Sequence, residues 1–525
     1  MVIAMKRNRP RHCPGAAPSI GLLALITIVI AGLLIVALLY RPERGDGGTR
    51  TLFVYCAAGM RVPVEQIAER YEHEHGVSIE LQFGGSNTLL SQLQVSRVGD
   101  LYLAGDATYT QLAADKGLAD ERLTVATMRP VIITPAGNPK NIKALDDLLD
   151  RDVKVALGNP DAAAIGRSVR EVLDQTGKWT ALQEHARTNG VFKPTVTDVA
   201  NDVKLGSVHA GIVWNTTAAM YPSLNAIAAP ELAAGEVAIE VAVLRSSEAP
   251  TAALRFARYL TARDRGLETF GSYNFDTIDG DPWAARPQLT FFCGAVNRRA
   301  VDRVVRKFAK REGVDVNVVY NGCGILTGQM KTIRDPSTTA GFPDAYMACD
   351  VYYLDTVRDW FQESVEVSDT RIVIAVPPGN PRNIQSLDDL AEPGLRVAVG
   401  QPKQCTIGVL TRQLLDGEGV AEAVMKNVVM QTTSSALLVP AVTDGGADAA
   451  LAYATDTLAA AGMVETIAID SSRAEAVQPF AIARTSPYKQ LGRRLKDSIT
   501  SARGSFEDAG FHWRLDATAE AADTP

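Results

Sequence analysis

The chain presents one succession of motifs twice, about 240 residues apart. Gly137-Asn138-Pro139 returns as Gly379-Asn380-Pro381, and Leu145-Asp146-Asp147-Leu148 as Leu387-Asp388-Asp389-Leu390. Gly158-Asn159-Pro160 pairs with Gly400-Gln401-Pro402, and Ile165-Gly166 with Ile407-Gly408, all four displaced by 242 positions. The offset drifts to 237 for 52–56 against 289–293, to 244 for Asp100 and Asp106 against Asp344 and Asp350, and to 239 for 210–214 against 449–453. Order is kept throughout. Solenoid repeats run about 20–50 residues, so this period marks two copies of a whole domain. The expected limits are 50–283 and 288–515, joined through 280–287. Each copy is long enough to build its own core.

Within a copy, short apolar strands alternate with amphipathic helices. Residues 52–56 form a continuous apolar run, as a strand covered on both faces requires. Val64, Ile67, Ala68 and Tyr71 recur at helical spacing. Residues 77–83 read as a strand, 89–95 as a helix and 101–104 as a strand. That order implies a parallel sheet with right-handed crossovers. Strands at 131–134 and 153–157 supply a second sheet, and 251–270 reads as one late helix. The fold class is α/β, and ligands of such sheets sit beyond the strand C-terminal ends.

Residues 20–40 carry no charge. As a helix rising 1.5 Å per residue they span about 31 Å, close to the hydrocarbon thickness of a bilayer. No small-residue cleavage pattern follows, so the run reads as an uncleaved transmembrane anchor rather than a signal peptide. Lys6, Arg7, Arg9 and Arg11 precede it, which puts 1–19 in the cytoplasm and the bulk of the chain in the periplasm or outside the cell. The polar end, 516–525, reads as a disordered tail. With 53 Lys and Arg against 60 Asp and Glu, the net charge is −7. A mildly acidic chain is a poor nucleic-acid binder.

Several segments carry a family resemblance: Tyr55-Cys56-Ala57-Ala58-Gly59, Phe83-Gly84-Gly85-Ser86 and 99–106, the two Gly-Asn-Pro and Leu-Asp-Asp-Leu pairs, 210–214 and 448–456. In order and spacing they resemble the substrate-binding proteins of molybdate and tungstate ABC transporters, the type 2 periplasmic-binding fold. The resemblance covers nearly all of both copies. It implies two α/β lobes per copy, joined by two crossover strands that close on a ligand. The crossings are expected near 126–133 and 226–240, and again near 368–374 and 465–480. It also implies permease and ATPase partners, and a tetrahedral oxyanion held by uncharged donors at helix N-termini, where free N–H groups and the helix dipole favour negative charge.

Carried over residue by residue, the ligand-binding candidates in copy one are Gly59, Ser86, Asn87, Ile165 and Trp214. In copy two they are Asn297, Cys323, Thr406, Tyr453 and Thr455. The family's first serine is replaced by Gly59 and Val296, its second is kept as Ser86 but replaced by Cys323, and its tyrosine is kept only as Tyr453. These departures leave three readings open: molybdate or tungstate, another oxyanion or small organic anion, and no small ligand. Copy two, with Tyr453, Thr406 and Thr455, ranks first as the binding copy.

Cys293, Cys323, Cys349 and Cys405 end strands or open loops on the ligand side of copy two. They read as buried thiols, one disulfide or, least, a soft-metal site, since no CxxC spacing supports a metal. Asp146-Asp147 and Asp388-Asp389 read as helix caps, Asp100 and Asp344 as structural, and His73 and His75 as solvated surface. No catalytic constellation, cofactor fingerprint or metal set stands out, so the chain reads as a binding protein rather than an enzyme. A ligand-sensing receptor, or an accessory scaffold with degenerate clefts, is the alternative.

Overall fold

A computed structural model describes residues 50–333 and 341–516. The expected anchor at 20–40, the segment 1–19 and the tail beyond Asp516 lie outside these residues. Among the described residues no helix is long and apolar enough to cross a membrane.

Copy one contains two sheets. The first runs in spatial order Asp276–Thr277, Ala119–Met128, Val237–Leu244, Leu101–Ala104, Arg50–Ala57 and Val77–Gly84. Arg50–Ala57 is parallel to both of its neighbours, whereas Val237–Leu244 runs antiparallel to its own. The sheet is therefore mixed, not all-parallel as the strand–helix alternation implies, because the returning crossover strand enters its middle. The second sheet is Gly190–Lys193, Val155–Gly158, Ala210–Trp214, Pro130–Pro135 and Leu224–Ile227.

Copy two repeats this plan with one difference. Its outgoing crossover is a single strand, Phe361–Val376, which pairs with Glu475–Ala483 in one lobe and with Ala449–Tyr453 in the other. The lobes thereby share one ten-stranded sheet. In copy one the same crossover is interrupted at Arg129, between Ala119–Met128 and Pro130–Pro135. Pro130 faces Trp214 where Ile372 faces Tyr453. Proline lacks the ladder N–H and restricts the residue before it, so a single side chain decides whether the crossover is broken or continuous.

The repeated motifs are local locks. Asn138 and Asn380, both at positive φ, clasp the backbone of Ile142 and Ile384 in the same way. Asp147 accepts from Lys143 N and Ala144 N at 2.7 and 2.9 Å, and Asp389 accepts from Gln385 N and Ser386 N at 2.7 and 2.9 Å. Asp100 and Asp344 accept from Phe53 N and Thr290 N at 2.9 and 2.8 Å. These carboxylates tie down loops. The late helix is two, Pro250–Leu260 and Gly266–Ser272, and a Cβ at Gly266 would stand 2.2 Å from Leu260 O. His75 is not the solvated residue its sequence suggests, because its ring packs against Tyr71 and Trp283 at 4.6 and 5.4 Å. His73 is exposed.

Two separate apolar cores result, one within 52–275 and one within 289–513. The copies dock through polar groups. Arg258 of copy one donates to Glu312 of copy two at 3.1 Å, and Arg494 donates to the same carboxylate at 2.7 Å. Asp281 accepts from Gln490 N and Leu491 N at 2.8 and 2.9 Å.

Candidate functional site

Each copy encloses a small cavity where its lobes meet. In copy one it measures about 20 Å³ and is lined by Gly59, Ser86, Ile165 and Trp214, together with Gly85, Met128 and the Thr195-Val196 pair. In copy two it measures about 10 Å³ and is lined by Val296, Gly322, Cys349, Cys405, Thr406, Ser434, Ser435 and Tyr453, among others. A water needs roughly 10–15 Å³ of this kind of space, so both clefts are closed around little more than one water.

Helix starts surround both cavities. Ser86–Ser96 and Ala164–Gln175 open onto the first, and Cys323–Thr332 and Thr406–Gly417 onto the second, none of them with a side-chain cap. Their leading N–H groups are the donors that an anion would use. No Arg, Lys, Asp or Glu lines either cavity. The lobes touch backbone to backbone beside these helix starts. A Cβ at Gly85 would stand 2.5 Å from Ala162 O, and one at Gly322 2.4 Å from Gln404 O. Only glycine permits that approach.

The individual candidates separate into groups. Gly59, Ser86, Ile165, Trp214, Thr406 and Tyr453 line the cavities. Asn87 instead bridges the lobes: its N–H donates to Ala162 O at 3.1 Å and its Nδ2 to Asp161 O at 2.7 Å. Asn297 is wholly buried, its Nδ2 donating to Ala348 O at 3.0 Å. Thr455 is buried outside the lining. Cys323 lies one layer behind the cavity, with its Sγ 3.0 Å from that of Cys349.

That sulfur pair explains why the second cavity is the smaller. In copy one Ser86 Oγ accepts from Gly105 N at 3.1 Å. In copy two the equivalent contact is Cys349 N to Cys323 Sγ at 3.1 Å. Glycine is thus exchanged for cysteine, and the added sulfur fills the space. The hydrogen bond to Cys323 and burial together raise the Cys349 pKa well above its ordinary value. All five described cysteines are free and buried. Among the described residues no set of three or more His, Cys, Asp and Glu is arranged to hold a metal.

Around the second cavity, Tyr453 Oη and Thr455 Oγ1 are buried without a hydrogen-bond partner and Tyr453 belongs to the cavity wall, whereas the Thr406 side chain interacts with the Cys323 and Cys349 sulfurs. Beside the cavity of copy one Thr217 Oγ1 is likewise unpartnered, 3.5 Å from where a Gly59 Cβ would stand. Sequence reasoning passed over Thr195-Val196 and Ser434-Ser435, which line the first and the second cavity at the same offset of 239 that relates Trp214 to Tyr453. That shared offset was the available signal.

Two lobes, two crossovers and a closed uncharged cleft define a ligand-capturing domain, here in tandem. Residues 52–275 and 289–512 each match the family described as bacterial extracellular solute-binding protein, and the chain belongs to that family. The molybdate-binding protein ModA of Mycobacterium tuberculosis (strain ATCC 25618 / H37Rv) is 29% identical over 225 residues, 42% of this chain and 83% of that one. A putative ABC transporter substrate-binding lipoprotein of Bacillus subtilis, YvgL, is 24% identical over 229 residues, 43% of this chain and 86% of that one. Among solved structures, the periplasmic molybdate-binding protein of Azotobacter vinelandii is 17% identical, covering 43% of this chain and 98% of that chain at a TM-score of 0.38.

Proposed function

We propose that the chain is a membrane-anchored, extracytoplasmic solute-binding protein. Its second copy captures a small oxyanion, of which molybdate is the type, for an ABC transporter. Residues 20–40 are the anchor, and permease and ATPase subunits are the partners. The observation that carries the reading is the unpartnered Tyr453 hydroxyl on the wall of an uncharged cavity beside a helix start. Buried donors without acceptors are costly, and an oxyanion supplies acceptors without requiring a buried cation. Membership of the solute-binding family and the molybdate-binding relatives support the same reading. The cleft opens to admit the anion, since about 10 Å³ does not hold one.

Titration calorimetry of the full chain in detergent with molybdate, tungstate, sulfate and phosphate tests it. Tyr453→Phe removes one hydrogen bond to a charged group, which costs about 1.5–3 kcal/mol, or roughly 10- to 150-fold in affinity. Trp214→Phe leaves the affinity unchanged. Absence of heat and of thermal shift with all four anions overturns the reading. That result favours the sensor or scaffold alternative, in which the Cys349 sulfur seals a disused cleft.

A further inference from the structure

A third, much larger cavity lies between the copies, apart from both clefts. It measures about 600 Å³, and its wall includes Thr251, Arg255 and Arg258 from copy one, Arg286 from the linker, and Lys310 and Glu312 from copy two. Its helices are held together by Thr251 Oγ1 donating to Lys310 O at 3.3 Å and by the Arg258–Glu312 contact. Its size falls within the range of about 300–1,000 Å³ typical of small-molecule sites.

The charges around it do not balance. Glu312 is shared between Arg258 and Arg494, and Asp315 is taken by Arg286 at 2.6 Å. Arg255 and Lys310 have no carboxylate partner among the described residues. Arg258 is only 8% exposed, yet its Nε and Nη2 have no acceptor. Arg255 Nε is buried and equally without one. Buried guanidinium donors facing no acceptor carry the same cost as any other orphaned polar group, increased by their charge. The wall of the cavity sets four cations, Arg255, Arg258, Arg286 and Lys310, against two carboxylates, Glu312 and Asp315, and so has a surplus of positive charge. Repeat alignment makes the surplus plainer. Arg255 stands at the position of Arg494, offset by 239, but His75 stands where copy two has Glu312, offset by 237. Copy one has kept the cation and lost its carboxylate.

We infer that the cavity between the copies is an anion site for a small polyanion bearing two or more phosphate or carboxylate groups, held by Arg255 and Lys310. A guanidinium presents paired N–H donors that match either group. A bound polyanion bridges both copies, because its cations come from both. The site is separate from the cleft, and does not depend on what the cleft binds.

Pyrophosphate and citrate are the probes, titrated calorimetrically into the full chain in detergent at low and moderate salt. At least one binds with micromolar affinity that weakens as salt rises. Arg255→Gln combined with Lys310→Gln weakens it at least tenfold, while Arg255→Lys, which keeps the charge, largely preserves it. Tyr453→Phe leaves it unchanged. The two probes distinguish phosphate from carboxylate chemistry. Failure of both to bind, or binding that survives the double substitution, overturns the inference. Loss on Tyr453→Phe would assign the signal to the cleft and overturn it equally.

Discussion

Volume is exchanged across each cleft between residues that the duplication aligns. Gly59 faces Val196, whose Cγ1 would stand 3.0 Å from a Cβ at that glycine. In copy two the large residue is Val296 and the small one Ser435, and both line the same cavity. Ser86 with Gly105 and Cys323 with Cys349 form a second exchange of the same kind. Cys323→Ser in copy two replaces the sulfur behind the cavity wall by the smaller hydroxyl that lines the cavity of copy one as Ser86, free to turn toward the cleft as a donor. It should tighten oxyanion binding by about 1 kcal/mol, read by calorimetry with molybdate, and an unchanged or weaker affinity would place the anion elsewhere. Asp456, beside this cleft, gives a pH test. Burial pushes its carboxyl up to about 6, opposed by Ser435 and Arg299, against roughly 4 in an unfolded chain. Between about pH 4 and 6 the folded form keeps a proton that the unfolded form has lost, so this group's contribution to stability falls as pH rises. Asp456→Asn should therefore match wild type at pH 4 and exceed it at pH 7 by about 1–2 kcal/mol. An equal difference at both pH values, in thermal melts, would contradict this origin. At this scale the sequence was informative where function is local: Asp147 and Asp100 serve the structural ends read for them. It offered Asn87 as a ligand contact, whereas in the structure its donors are taken by Asp161 O and Ala162 O across the lobes.

Matching helices in the two copies end alike but in different surroundings. Arg61–His75 and Arg298–Glu312 both stop at a left-handed glycine, Gly76 at φ 64° and Gly313 at φ 67°. No atom lies within 4 Å of a Cβ built on Gly76, whereas Thr251 Cγ2 of copy one lies 2.8 Å from one built on Gly313. Gly76→Ala should cost about 1 kcal/mol, from backbone strain alone. Gly313→Ala should cost more, because the methyl also pushes against copy one, and denaturant melts of the two variants compare them directly. Equal costs would mean that the junction yields freely. The first of these helices was legible from the periodicity of Val64, Ile67, Ala68 and Tyr71. The division of 251–270 into two helices was not, because it depends on Gly266 meeting Leu260 O. Pro130 stood in plain view, but its effect needed the paired strand Ala210–Trp214 before it could be read.

Over the whole molecule, the duplication and its α/β plan follow from the repeat alone, while the way the copies meet does not. Arg258, Glu312 and Arg494 are distant in sequence and belong to three different helices. Burial opposes the charge on Glu312, yet Arg494 and Arg258 hold its carboxyl below the usual range. Removing the shared carboxylate leaves two guanidiniums facing each other without water, and losing one partner of a buried ion pair costs about 3–5 kcal/mol. Glu312→Ala should lower the melting temperature of the full chain accordingly. A melt indistinguishable from wild type would show that the junction contributes nothing to stability. Because the apolar cores are separate, 48–284 and 286–525 expressed alone should each unfold cooperatively, with the second fragment weakened by the loss of Arg258.

Glu312 also imposes an order on biosynthesis. Its partner Arg258 lies 54 positions earlier in the chain and Arg494 182 positions later. As the polypeptide leaves the ribosome, the first contact becomes possible almost as soon as the second copy begins. The other must wait until that copy is nearly finished. A nascent chain therefore carries a half-neutralised carboxylate through most of the second copy's synthesis, and the last long helix to emerge among the described residues, Lys489–Thr500, is the one that seals the joint.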